Sequence, residues 1–289
     1  MHYDATSACV KPKALFVRKF YMKYLFGIAV FFFPAFGLAQ GKVDGFYQNQ
    51  QTASMVLGLG FEDSKKYITD DTTLDLERST YYTAFFVAYG VTDDLDVNLT
   101  IPYIISNNEN DFQDVSLLLK YRFLNTDLGQ GSFQMGGAAG FSTPLSNYRI
   151  GGLNDIGQQA TVIESRLLFH YMHDLGWFAT TQSGFSFKLE EVPNSIPFTI
   201  KLGRATANWY YDFYYDYQHA LGGIDYRGTP APQNFREFGV DFHKIGGTLY
   251  KPFSNTFGGY VSVAYTLGGR NTFLGASYGI GLSYQPHFK

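Results

Sequence analysis

Thr272-Phe273-Leu274-Gly275-Ala276-Ser277-Tyr278-Gly279-Ile280-Gly281-Leu282-Ser283-Tyr284-Gln285-Pro286-His287-Phe288 alternates along its whole length. Leu274, Ala276, Tyr278, Ile280, Leu282, Tyr284 and Phe288 share one parity; Phe273, Gly275, Ser277, Gly279, Gly281, Ser283 and Gln285 share the other. A strand sends successive side chains to opposite faces, so this is a strand with one apolar and one small, polar face. In a soluble protein the apolar face would need a covering layer. Nearly every other segment repeats the pattern, and none is suited to cover so much apolar surface. The solution is a closed cylinder with apolar faces toward lipid and polar faces toward a lumen, in which this strand is the closing one.

Working outward, the cleanest partner is Leu95–Ser106, with Leu95, Val97, Leu99, Ile101, Tyr103 and Ile105 against Asp96, Asn98, Thr100 and Pro102. Met55, Leu57, Leu59 and Phe61 form an earlier apolar row, followed by a charged stretch, Glu62–Glu77, that reads as a loop. Val115, Leu117, Leu119, Tyr121 and Phe123 form another row, opposite Asp114, Ser116, Lys120 and Arg122. Trp209, Tyr211, Phe213, Tyr215 and Tyr217 face away from Tyr210, Asp212, Tyr214, Asp216 and Gln218. Phe238, Val240 and Phe242 read as outward, with Glu237, Asp241 and His243 inward, before a phase slip at Lys244–Gly247 that reads as a bulge. The expected fold is all-β: a transmembrane antiparallel β-barrel of about 12 strands, with a range of 10–14. Short turns at Thr92–Asp94, Asn125–Gly131, His173–Gly176 and Pro252–Asn255 alternate with longer loops, the asymmetry of periplasmic turns and outer loops.

Composition agrees. With 18% aromatic and only 16% charged residues, 28 Phe and 23 Tyr suit lipid-facing rings and interfacial girdles, and 31 Gly suit lumen and bulge positions. The one long apolar run, Tyr24–Gly37, follows Lys23 and ends in Gly37-Leu38-Ala39, the pattern of a cleaved signal peptide. It is short for a membrane helix, which needs about 20 residues. Residues 1–39 are therefore expected to be leader and signal peptide, starting at Met1 or Met22, and 40–289 the barrel. Without the leader's five cations and one acid, 17 basic residues face 24 acidic ones, a net −7 that argues against nucleic acid as a partner. Cys9, the single cysteine, leaves with the leader, so the remaining chain has no disulfide and no thiolate.

The functional candidates are charges of lumen parity. Lys120, Arg122, Arg166, Lys188 and Lys201 would face Asp96, Asp114, Glu164, Asp212, Asp216, Glu237 and Asp241. Either they pair across the lumen and brace the barrel, or they line a solute path and select by charge; paired charges can do both. Tyr82, Phe86, Tyr210 and Tyr214 would add an aromatic track or fill space. Other motifs carry less. Gly275-Ala276-Ser277-Tyr278-Gly279 has the spacing of a nucleophile elbow but lies within a strand, where no elbow can form. His170 and His173 have helical metal-pair spacing on a strand end and a turn, so no metal site is expected. Asn98-Leu99-Thr100 is a glycosylation sequon in form only.

Two stretches, Tyr89-Gly90-Val91-Thr92-Asp93-Asp94-Leu95-Asp96-Val97 leading to Ile101-Pro102-Tyr103, and Gly269-Arg270-Asn271-Thr272 leading to Gly279-Ile280-Gly281-Leu282-Ser283-Tyr284, resemble the outer-membrane barrel family of the meta-pathway of phenol degradation. The resemblance implies a transporter of small, hydrophobic molecules without catalytic residues. Such barrels end on an aromatic residue; here Lys289 follows Phe288, which keeps the outward parity and is the expected signal to the barrel-assembly machinery.

The expected function is an outer-membrane channel passing small, hydrophobic or aromatic molecules by passive diffusion through a narrow mixed-charge lumen. The expected partners are outer-membrane lipids, the assembly machinery and a small-molecule solute; no cofactor and no enzymatic activity are expected. Two alternatives stand beside it. A lipid-modifying enzyme would need a Ser/His cluster at the outer lipid boundary, against which the opposite parity of Ser165 and His170 speaks. A non-conducting structural or secretion-partner barrel would have a plugged lumen.

Overall fold

The computed structural model describes residues 43–70, 72–106 and 109–286. The expected leader 1–39, Cys9 and Phe288 lie outside them. Fourteen strands follow in chain order: β1 (Ala53–Ile68), β2 (Thr73–Leu74), β3 (Arg78–Thr92), β4 (Leu95–Ser106), β5 (Glu109–Phe112), β6 (Asp114–Asp127), β7 (Gly131–Pro144), β8 (Val162–His173), β9 (Trp177–Lys188), β10 (Ser195–Ala205), β11 (Tyr210–Ala220), β12 (Asp241–Pro252), β13 (Phe257–Arg270) and β14 (Thr272–Tyr284). Twelve are long and pair antiparallel in sequence order, and β1 pairs with β14 from Met55↔Tyr284 to Ile68↔Thr272, which closes the barrel. Two short strands only add to rims: β2 on the end of β1, β5 on the end of β4. Closure satisfies the backbone groups that an open sheet would leave bare in lipid.

The exterior is apolar because nothing in the chain covers it. Leu59, Val263, Ile280 and Leu282 are each more than half exposed, at 51%, 53%, 59% and 62%. Their in-strand neighbours, such as Ser54, Asn98, Ser116, Gln182 and Thr248, are buried. An apolar surface wrapped around all twelve strands far exceeds the few hundred Å² that soluble monomers tolerate, and lipid is the solvent that fits it. Five short turns, 93–94, 128–130, 174–176, 206–209 and 253–256, crowd one end. Long loops, 145–161 and 221–240, sit at the other. The short-turn end is the periplasmic one.

The register differs from the sequence expectation at three places. The charged stretch Glu62–Glu77 is not all loop: β1 runs on to Ile68, and β3 begins at Arg78 paired with Ser64. Above the bilayer both faces are wet, so alternation fades while the hydrogen-bond ladder continues. The bulge near Lys244 is real but belongs to the neighbour, where Leu267 of β13 is the extra residue between Thr266 and Gly268. Unbroken pairing with β11, from Tyr210↔Tyr250 to Gln218↔Phe242, then puts Phe242 on the lumen side and Asp241 and His243 on the outward parity, the reverse of the expectation. Phe238 is not on a strand at all; it is buried in the 221–240 loop.

Candidate functional site

The lumen is organised by a segment that does not belong to the wall. Residues Val43–Gln50 precede β1, turn into the cylinder from the periplasmic end and fill its lower part. They form no strand, so their backbone groups need partners from the wall. Gln182 Nε2 donates to the Val43 carbonyl at 2.9 Å. Lys120 Nζ donates to the Asp44 carbonyl at 3.1 Å and to the Phe46 carbonyl. The Gln48 amide donates to the Asp96 carboxylate at 3.2 Å, and the Gln50 amide to Asp93 at 2.9 Å. Side chains lock the same segment. Phe46 packs edge-on against His170, Phe178 and Tyr210, with ring centroids 4.7, 5.0 and 6.3 Å away. The Tyr47 ring lies under Lys120 Nζ at 4.1 Å and under the Arg122 guanidinium at 4.9 Å. Gly45 lies so close to the wall that a Cβ would overlap the His170 ring and come within 2.9 Å of Thr180 Oγ1.

The charges of lumen parity fall into local pairs. Lys120 Nζ is 3.0 Å from Asp96 Oδ2, both almost fully buried. Arg166 pairs with Glu164 at 2.6 Å and also donates to Ser186 Oγ. Lys201 reaches Asp44 of the inserted segment at 2.6 Å. Arg122 pairs with Asp94 at 2.7 Å near the periplasmic mouth. Burial pushes the Asp44 carboxyl upward, but the ammonium groups of Lys201 and then Lys120 outweigh it and hold the carboxyl below the ordinary aspartate range. Lys120, Asp96, Arg166, Glu164 and Lys201 each thus have a partner of opposite charge, the condition for tolerating such charges in a low-dielectric interior.

The remaining candidates are distributed more widely. Asp212 accepts from the Tyr210 hydroxyl and from the Thr248 amide at 3.0 Å. Asp216 accepts from Thr199 Oγ1 at 2.5 Å. Lys188 donates to Gln158 Oε1 at 3.2 Å, beneath the outer loops. Asp114 accepts from the Tyr148 hydroxyl at 2.5 Å, and burial followed by this carboxylate pushes the Tyr148 phenol well up. Glu237 is not a lumen residue: it ends a 3-10 turn, Phe235–Glu237, in the 221–240 loop and accepts from the Gln233 amide. Asp241 stands at the outer rim, accepting from the Ala220 amide at 2.5 Å. Glu237 lies in the loop because the strand begins only at Asp241, later than the hydrophobic pattern suggests, and Asp241 takes the outward parity because its neighbour Phe242 faces the lumen.

Tyr210 and Phe86 are buried in one cluster with Phe46, Val56, Phe178, Tyr250 and Tyr260, which fills the lower lumen instead of leaving a track. At the outer mouth Arg236 Nη2 donates to the Gln159 carbonyl at 2.8 Å and Gln158 Nε2 to the Phe238 carbonyl at 3.2 Å, joining the two long loops. A cavity of about 150 Å³ lies on the lumen side of β8–β12, lined by Arg166, Gln182, Pro197, Thr199, Asp216 and Phe242 among others. Ser277 sits mid-strand, paired with Glu62 and Ala264. Ser165 Oγ bonds to the Phe185 carbonyl on the lipid side, whereas His170 bonds to Thr180 in the lumen. Among the described residues no group of three or more His, Cys, Asp or Glu side chains is placed to hold a metal ion.

No family model matches the chain, and no curated relative matches it in sequence. Its fold is similar to that of an outer membrane channel from Pseudomonas putida F1, at a TM-score of 0.67 and 11% identity over 85% of this chain and 100% of that one. It is similar also to the NanC porin (TM-score 0.53, 11% identity, 80% and 98% covered) and the KdgM porin (0.50, 9%, 81% and 99%). At these identities the likeness shows the fold, a barrel of the outer-membrane class.

Proposed function

We propose that this barrel is a passive outer-membrane channel for small molecules, narrowed from the periplasmic side by its own residues Val43–Gln50. The observation that carries the reading is the two-sided wall: a lipid-facing exterior around an interior that is polar, charged and locally neutralised. Paired charges such as Arg166 and Glu164 leave a lumen of mixed sign, suited to small solutes of low net charge. The resemblance to the barrel family of phenol degradation and the inward Phe242 ring at the cavity favour solutes with an apolar or aromatic part. The cavity beside Arg166, Asp216 and Phe242 is the place where such a solute would rest.

The inserted segment favours a second reading, a non-conducting barrel that serves a structural or secretory role. One experiment separates the two. Purified protein in planar bilayers and liposomes is compared with a variant lacking Val43–Gln50. The channel reading expects low conductance and slow solute entry for the full chain and a clear rise for the variant. A variant that folds but stays silent leaves the non-conducting reading.

A further inference from the structure

We propose that the periplasmic rim of β9–β12 is a headgroup site for an anionic phospholipid of the inner leaflet. The chain has 2 Trp, and both are here, on the exterior: Trp177 opens β9 and Trp209 directly precedes β11, exposed at 50% and 42%. Between them a cation and a third ring complete a row across the strands. Arg204 of β10 pairs in register with Trp177 on one side and with Tyr211 on the other. Its guanidinium lies 5.3 Å from the Trp177 ring centre, and Tyr211 packs edge-on against Trp177 at 6.1 Å. On β12, Lys251 continues the row with its Nζ 4.5 Å above the Trp209 ring. Rings in this position sit at the headgroup level of a bilayer.

What sets the row apart is its charge. Every buried cation described above has a carboxylate or hydrogen-bonding partner. Arg204 and Lys251 form no ion pair with any carboxylate among the described residues, although Asp174 lies in the neighbouring turn. Arg204 spends one donor, Nε, on the Leu175 carbonyl at 3.3 Å. The indole faces hold both cations by cation–π attraction without neutralising them. The rim thus presents two positive charges over an apolar, aromatic footing at the depth of the phosphates. A guanidinium matches the geometry of phosphate oxygens, an ammonium adds a point charge, and the rings cover the glycerol and first methylenes. Each basic residue near a negatively charged lipid surface adds to the attraction, so the pair prefers anionic over zwitterionic headgroups.

Both tryptophans lie in the site, so tryptophan emission, excited beyond the tyrosine absorption band, reports on it alone. The full barrel is reconstituted in phosphatidylcholine vesicles containing either brominated phosphatidylglycerol or brominated phosphatidylcholine. The expected result is stronger quenching by the anionic lipid at equal mole fraction, equivalent to a several-fold higher relative affinity that declines as salt rises. In the Arg204→Gln/Lys251→Gln variant the two quenching curves should coincide, and Arg204→Lys should retain most of the preference. Coincident curves for the unaltered protein, a preference insensitive to salt, or one that survives in the double variant would each overturn the proposal. Heat-modifiable gel mobility verifies folding, and the salt titration needs no variant.

Discussion

Lys120 and Asp96 face each other across neighbouring strands, Nζ to Oδ2 at 3.0 Å, and the same ammonium holds two carbonyls of the inserted segment. A wall contact and a plug contact therefore share one side chain. Replacing Lys120 by Met leaves Asp96 buried without its partner, and removing one member of such a pair costs about 3–5 kcal/mol. Lys120→Met should lower the denaturant midpoint of the refolded barrel and raise its conductance together. A midpoint shift without any conductance change would mean that the segment holds its place without Lys120.

Asp44 gives a pH dependence with a definite sign. Its carboxyl, held below the ordinary range by Lys201 and Lys120, binds a proton less readily when docked than when released. Docking is therefore fully favoured above the ordinary aspartate value of 3.8 and weakens as pH falls below it through the docked value. Conductance should be flat from neutral to mildly acidic pH and rise only in stronger acid. In Asp44→Asn the acid step should vanish, with a higher baseline at neutral pH.

Gly45 is confined by the His170 ring and Thr180. Gly45→Ala should push the segment off the wall and leave the twelve strands intact. The expected signature is unchanged heat-modifiable mobility with increased single-channel current. Unchanged current would show that the segment can shift enough to accept a methyl group.

Val263 lies mid-strand on the lipid face of β13, 53% exposed. An arginine there meets hydrocarbon on all sides, at a cost of about 2–4 kcal/mol near the midplane. Val263→Arg should reduce the unfolding free energy in vesicles by that amount. Little or no loss would argue that this face meets water or another protein.

The strands were legible because lipid and lumen impose opposite demands on adjacent residues, and a period of two survives even where turns are hard to place. Leu95–Ser106 and Thr272–Tyr284 could be read almost residue by residue. The outer half of β1 was not, since alternation stops where both faces meet water. Asp241 and Phe242 read inverted because Phe242 is an apolar residue on the lumen face: β12 keeps one parity along its unbroken pairing with β11, while hydrophobicity alone assigns Phe242 to lipid. The inserted segment was the largest omission. Val43–Gln50 has no periodicity, and its conformation comes from Lys120, Gln182 and Lys201, wall residues scattered through the following 160 positions or so. Asp44-Gly45-Phe46, a charge, a residue without a side chain and a ring, was the only local sign that it meets a crowded surface.

The β1–β14 seam joins residues more than 200 positions apart, the greatest separation of any strand pair in the molecule. Loop-closure entropy makes such a join the slowest to form. Val43–Gln50 is continuous with β1, one lip of that seam. Until the last strand docks, the cylinder is a trough, and the segment can lie down in it sideways; afterwards it can enter only lengthwise through the periplasmic mouth. The order in which seam and segment settle thus fixes the route by which Val43–Gln50 reaches its place.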